Sequence, residues 1–268
     1  MELGACSGFE MNRRVGNLAL GAIFTSIFLV DLVANDNNAT ASYPFQSGEK
    51  LSYRIKWGFL SVGNAVLETH EPEEVNGTRC HKISLTVSTN KFADAFYKVR
   101  TSAVSYVEEG FDRTILYRKS QLEGKTNRQV EVRFDYEANL AHYFNHGIAG
   151  KALEIPDRVF DPLAIAYLFR LQEAELAKDR KLPTCDGKRV REVEVKVGKK
   201  RKTTVPAGKF ETHEVSPAME NLRGVFRKSP DGFLRICYSA DNRRLPVLMR
   251  SKVIVGSFVA RLTETRFP

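Results

Sequence analysis

This sequence predicts a mainly β fold built on an antiparallel meander, with one embedded helix. Three observations carry that expectation. Apolar residues recur with a period of two along most of the chain after residue 42; turns containing Gly, Asn or Pro interrupt the alternation at short intervals; and one stretch, near 162–178, changes to helical spacing. With 43% apolar and 27% charged residues in 268, the chain is in the globular range, which excludes collagen-like, disordered and disulfide-dense small scaffolds.

The N-terminal segment stands apart. Arg13 and Arg14 precede Leu18–Val30, thirteen residues without charge that end at Asp31. A spanning helix needs about 20 apolar residues, so this run has the length of a secretory hydrophobic region, and Ala39-Thr40-Ala41 supplies an A-x-A cleavage pattern. Residues 1–41 are read as a signal peptide, with a retained anchor as the other reading. Met11 is then the initiator and residues 1–10 an over-extended start, or else an unusually long polar lead. Leu3-Gly-Ala-Cys6 imitates a lipoprotein box but has no hydrophobic region before it. Without residues 1–41 the chain loses Arg13 and Arg14 against Glu2, Glu10, Asp31 and Asp36, and its net charge rises from +9 to +11. An exported basic chain is expected to meet anionic lipid or acidic envelope polymers rather than nucleic acid, or simply to be kept soluble by its charge.

Residues 42–268 are expected to form a single domain. Leu51, Tyr53, Ile55 and Trp57 fall on one face of a first strand, with Lys50, Ser52, Arg54 and Lys56 on the other. Gly58 and Gly63 mark a bulge or sharp bend before the strand at 64–69, and Pro72–Gly77 reads as a turn. Further strands are expected at 82–88, 98–107, 114–118, 129–136 and 140–144. Asp161-Pro162 then supplies an N-cap and a proline at the first helical position, ahead of an Ala-, Leu- and Glu-rich run that places Leu163, Tyr167, Leu171 and Ala174 on one stripe with Arg170 beside it. Pro183–Gly187 closes this interruption. Alternation resumes at Val193, Val195 and Val197, and strands follow near 203–205, 210–215, 224–227, 232–239, 247–255 and 258–265. A sheet of about a dozen strands rarely stays flat, so it is expected to roll into an open or partial barrel, lipocalin-like or half-barrel, with a two-sheet sandwich as the alternative.

Several of these segments carry a resemblance. Phe45-Gln-Ser-Gly-Glu-Lys-Leu-Ser-Tyr53, Trp57-Gly58, Gly63, Asp161-Pro-Leu-Ala-Ile-Ala-Tyr-Leu-Phe-Arg170, Val205-Pro-Ala-Gly-Lys-Phe210 and Asp241-Asn-Arg-Arg-Leu-Pro246, in that order, resemble the signatures of the DUF3108 family. The resemblance implies an exported, mostly β protein of bacterial envelopes with no established activity, and so no catalytic residues to transfer. Where the family has a serine or similar small residue in the helix motif, Ala164, Ile165 and Ala166 stand here, which speaks against a hydroxyl nucleophile.

The chemistry-bearing patterns are sparse. Gly124-Lys125-Thr126 ends like a phosphate loop, but Lys119 occupies the place of its leading glycine. His142 and His146 have zinc spacing only on a helix; on a strand they stand about 13 Å apart. Cys80, Cys185 and Cys237 lack C-x-x-C spacing and allow at most one internal bridge, and Cys237 reads as a buried structural thiol. No G-x-S-x-G is present. Glu49, Asp161 and Asp241 have ordinary roles available at a strand entry, a helix cap and a turn. No catalytic residue, metal or cofactor is assigned. Arg170 is expected to snorkel to solvent, to pair with a carboxylate such as Glu49, or to clamp an anion inside a cavity. Lys196-Val-Gly-Lys-Lys-Arg-Lys202 is expected at a hairpin tip, where Lys199, Lys200, Arg201 and Lys202 are solvated or touch an anionic surface.

The function expected is a non-enzymatic periplasmic or envelope-associated binding protein, peripheral rather than integral to the membrane, holding a lipid or other lipophilic ligand in a barrel-like cavity. Tyr53, Trp57, Phe59, Tyr167, Arg170 and Leu171 are the candidate ligand contacts. The alternatives are an envelope hydrolase of glycan or ester bonds and an assembly factor that docks partners by its sheet edge and basic hairpin.

Overall fold

The computed structural model describes residues 43–171, 180–217, 232–253 and 256–268. The expected leader at 1–41, the distal part of the expected helix at 172–178 and the expected strand at 224–227 lie outside them. Ser42–Pro268 forms one compact unit.

The first half is a meander: β1 (Lys50–Trp57), β2 (Leu60–Val75), β3 (Thr78–Thr89), β4 (Val99–Glu108), β5 (Thr114–Glu123), β6 (Thr126–Asp135) and β7 (Leu140–Asn145), with the short β8 (Ile148–Ala149) and β9 (Leu153–Glu154) beside β7. A one-turn helix, α1 (Lys91–Asp94), joins β3 to β4, and α2 (Pro162–Leu168) follows β9. The second half comprises β10 (Arg180–Cys185), β11 (Val190–Val205), β12 (Gly208–Pro217), β13 (Phe233–Ser239), β14 (Pro246–Val253) and β15 (Gly256–Arg266). All belong to one open sheet that runs from β10 through β15, then β1, and on to β8. The antiparallel pairing of β1 with β15, where Tyr53 faces Leu262, joins the two halves.

The alternation works as expected in β1, where Leu51 and Tyr53 are buried and Arg54 is exposed. Pro72 does not begin a turn. Strand β2 continues to Val75, and the ladder shifts register between His70 and Glu73, which removes the demand for a proline N–H; the turn is Asn76-Gly77, both at positive φ. Pro183 likewise lies within β10, an end strand of the sheet, where a missing donor is tolerated.

The sheet rolls until its two ends approach. Gly187, in the β10–β11 turn with φ of 82°, sits so close to the other end that a Cβ would stand 2.4 Å from Val132 Cγ2 and 2.7 Å from Tyr143 Cδ2. A strap ahead of α2 bridges the gap: the Thr114 N–H donates to Val159 O at 3.0 Å, the Phe160 N–H to Pro183 O at 3.0 Å and the Cys185 N–H to Phe160 O at 2.9 Å. The edges are therefore tied through this strap rather than through a strand-to-strand ladder.

Helix α2 fills one end of the roll. Asp161 caps it by accepting from the Leu163 and Ala164 N–H groups at 2.8 and 3.1 Å, and Leu163, Ala164 and Tyr167 are buried in the main core. The expected length is not reached within the described residues: the helix stops at Leu168, and the Arg170 and Leu171 N–H groups reach back three residues, to Tyr167 O and Leu168 O, in a tightened last turn. Tyr43, Phe45, His81 and Phe111 stack over this end, with ring centroids 4.6–6.4 Å apart. Toward the opposite end burial relaxes: Ile83, Val132 and Leu262 are buried, whereas Ile55, Leu85, Val87, Val130 and Val259 pack on the same core while only half-buried. The fold is thus closed at the α2 end and looser at the end of the β1–β2 turn.

Candidate ligand-binding site

Between α2 and strands β10–β13 lies a trough of about 300 Å³. Ile165 of α2 and Phe169, the C-cap four residues on, form one wall; Val193 and Val195 of β11, Val215 of β12 and Leu234 and Ile236 of β13 form the other. Tyr238 closes it and fixes the helix, since its hydroxyl donates to Ala166 O at 2.9 Å. Burial raises the Tyr238 pKa well above the ordinary tyrosine value, so the phenol stays a neutral donor. Thr184, Asp186, Arg189 and Arg191 supply the polar part of the lining. Asp186 accepts from the Lys188 and Arg189 N–H groups, both at 2.9 Å, and so shapes the turn that carries Arg189. An apolar trough whose polar lining holds two arginines against one aspartate suits an apolar molecule with an anionic end.

The residues singled out from sequence fall elsewhere. Tyr53 is buried, with its hydroxyl donating to Pro246 O at 2.9 Å, and Tyr167 is buried with its hydroxyl 3.0 Å from Thr69 Oγ1. Leu171 packs half-buried on the main core. Trp57 and Phe59 are 45% and 87% exposed at the β1–β2 turn, so they do not join the others in an interior; the turn carries them past the end of the roll. None of the six lines the trough.

Arg170 follows the pairing alternative. Its Nη1 and Nη2 donate to Glu49 Oε1 and Oε2 at 2.5 and 2.8 Å, Nη2 also to Pro44 O at 3.0 Å, and Nε and Nη2 to Arg243 O at 3.3 and 3.1 Å. Both side chains are fully buried. Burial is the largest single influence and opposes the charge on Arg170, but the hydrogen bonds to Glu49 together with the Coulombic pull of Tyr167, Glu49 and Tyr53 outweigh it and hold the guanidinium pKa above its usual value. With these donors engaged inside the protein, Arg170 is a clasp rather than a ligand contact.

The basic run 196–202 is corrected in place. It is the middle of the continuous strand β11, and the β11–β12 turn is Pro206-Ala207. Gly198 and Lys199 form a bulge between the Val197–Val215 and Lys200–His213 pairs, so a glycine that reads as a turn serves to kink a strand. Lys200 pairs with Glu211 at 2.8 Å, and Arg201 reaches Glu214 and the Cys237 Sγ. Cys80, Cys185 and Cys237 are buried free thiols, with burial pushing Cys80 and Cys185 each up to about 11. Among the described residues no group of three or more His, Cys, Asp or Glu side chains could hold a metal ion, and no helix is long and apolar enough to cross a membrane.

Sequence reasoning missed the trough walls. Their signal was present as a second apolar stripe, Ile165 and Phe169, and as the alternating Val193/Val195 and Leu234/Ile236 pairs. What it lacked was the knowledge that these stripes face one another.

With this geometry in hand, comparison with known proteins is informative about fold. The model of the family described as "Protein of unknown function (DUF3108)" matches residues 52–263. The chain belongs to the DUF3108 family. No curated protein matches it. Among solved structures, the crystal structure of a β-barrel-like protein of domain of unknown function DUF1849 from Brucella abortus is similar to this DUF3108 chain with a TM-score of 0.56 and 10% identity, covering 85% of this chain and 100% of that one. A Bacteroides fragilis protein with a YmcC-like fold gives a TM-score of 0.35 at 10% identity, over 84% of this chain and 98% of its own. A Parabacteroides distasonis protein gives 0.37 at 12% identity, over 84% and 99%. The Brucella structure places the DUF3108 chain among β-barrel-like folds, in agreement with the rolled open sheet.

Proposed function

We propose that this DUF3108 protein is a non-enzymatic binding protein of the cell envelope that holds a lipophilic molecule with an anionic end in the trough beneath α2. The observation that carries the reading is the trough itself: about 300 Å³, walled by aliphatic and aromatic side chains, with Arg189 and Arg191 in its polar lining. Its volume is at the lower end of ligand sites, enough for one chain or a small ring system. Location in the envelope is supported by the charge-free Leu18–Val30 run and the Ala39-Thr40-Ala41 pattern.

The test is native mass spectrometry of Ser42–Pro268, purified from the exported fraction without detergent, with organic extraction of what co-purifies. The wild-type protein is expected to carry an extra mass that is absent from Val195→Trp and Ile165→Trp variants, which fill the trough. An apo mass for the wild type, unchanged after incubation with envelope lipids, overturns the proposal.

A further inference from the structure

Three sequence-separated turns meet at the loosely packed end of the roll. The pairings Trp57–Leu60, Ser88–Arg100, Val99–Glu123 and Glu123–Thr126 set the β1–β2, β3–β4 and β5–β6 connections side by side at that end. Asn90 ties the first two together, its N–H donating to Val62 O at 2.9 Å and its Nδ2 to Ser61 O at 2.6 Å. The Tyr97 ring lies so close to Gly124 that a Cβ there would stand 2.5 Å from Cε2. These connections project large hydrophobic side chains: Phe59 is 87%, Phe96 79%, Phe92 55%, Tyr97 55% and Trp57 45% exposed. They account for most of the exposed large hydrophobics among the described residues.

The same turns are basic. Lys56, Lys91, Lys98 and Lys125 alternate with the aromatics, while Asp94 is bound by Arg100 at 2.6 Å and Glu123 accepts from Thr101 at 2.9 Å. Aromatic rings with lysines between them, spread over separate projecting turns rather than gathered in one flat patch, match the chemistry of a bilayer interface, where rings enter the headgroup layer and cations meet anionic lipid. We propose that this end of the roll is a docking surface for an anionic lipid bilayer. It is distinct from the trough and from the basic stretch of β11.

Trp57 is the only tryptophan, so its emission reports this surface directly. The experiment titrates Ser42–Pro268 with vesicles of phosphatidylglycerol and phosphatidylethanolamine, and with phosphatidylcholine alone, following Trp57 emission and co-sedimentation. The expected result is a blue shift and co-sedimentation with the anionic vesicles that weaken with salt, fall about tenfold in Phe59→Ser/Phe96→Ser, fall again in Lys91→Glu/Lys125→Glu, and persist in Lys199→Glu/Lys202→Glu. Those side chains are exposed, so the variants are expected to keep the wild-type melting transition, which is measured alongside. The proposal is overturned if anionic vesicles leave Trp57 unchanged, or if Phe59→Ser/Phe96→Ser binds as the wild type does. It is also overturned if the pair of serines instead abolishes self-association in lipid-free solution. Failure of the trough to retain a ligand bears on none of these readouts.

Discussion

Replacing Arg170 with Met tests the clasp at the closed end. The change removes both hydrogen bonds to Glu49, leaves that carboxylate buried without its cation, and strips donors from Pro44 O and Arg243 O. Breaking a buried ion pair from one side costs about 3–5 kcal/mol, and an orphaned buried carbonyl adds about 1–3 kcal/mol unless water reaches it. A loss of about 4–8 kcal/mol is expected, which at about 2–4 °C per kcal/mol for a chain of this size lowers the melting temperature by about 8–32 °C. Glu49→Gln is expected to be costly as well, because it leaves the guanidinium unpaired. The double variant Arg170→Met/Glu49→Gln removes both charges and is expected to recover at least about 2 kcal/mol relative to additivity. The assay is chemical denaturation of all four proteins as a double-mutant cycle. Additive losses, or an Arg170→Met loss below about 1 kcal/mol, the scale of a surface pair, would refute the reasoning.

Two further outcomes concern a buried carboxyl and a half-buried imidazole near the closed end. Asp161 accepts from Ser105 and Thr114 hydroxyls at 2.5 and 2.8 Å besides capping α2, so Asp161→Ala is expected to cost about 2–4 kcal/mol in urea unfolding, while Asp161→Asn, which keeps the capping oxygen, stays within about 1.5 kcal/mol of wild type. Burial raises the Asp161 pKa, and a carboxyl whose folded pKa is raised gains stability as pH falls through that value, so the Asn variant is expected to lose this acid-side gain. His81 behaves oppositely: burial among rings lowers its pKa, so its contribution is complete above about pH 6.5 and is lost as pH falls through the lowered folded value. A melting-temperature series from pH 7.5 down to 4.5 is expected to show a decline in the wild type that His81→Leu flattens; parallel curves would exclude His81 as its source.

The local structure was legible because it is written in nearest neighbours. Leu51 and Tyr53 against Ser52 and Arg54 specify a half-buried strand whatever lies beside it, and Asp161-Pro162 specifies a helix start. Errors arose where a distant partner decides. Lys196–Lys202 has the composition of a turn, yet β12 pairs with it and Glu211 and Glu214 meet its charges, so it stays extended. Arg170 and Glu49 are 121 residues apart, and only the closing of the roll makes one alternative for the arginine prevail. The trough escaped notice for the same reason. Its walls come from a helix and three consecutive strands, and no short-range pattern encodes that the helix lies over the face that carries Val193, Val195, Val215 and Ile236.

The position of β1 has a consequence for how the chain is made. This strand has β2 on one flank and β15 on the other, and β15 comes last in order among the described strands. A polypeptide emerging N-terminus first can zip β1 through β7 as successive hairpins, but one margin of β1 stays unsatisfied, an edge competent to recruit foreign strands, until Gly256–Arg266 arrives. The seam is therefore completed in the middle of the finished sheet by the last-made of its described strands. A chain cut short before Gly256 would leave two sheets without a common strand, so the closing residues govern whether the two halves become one molecule.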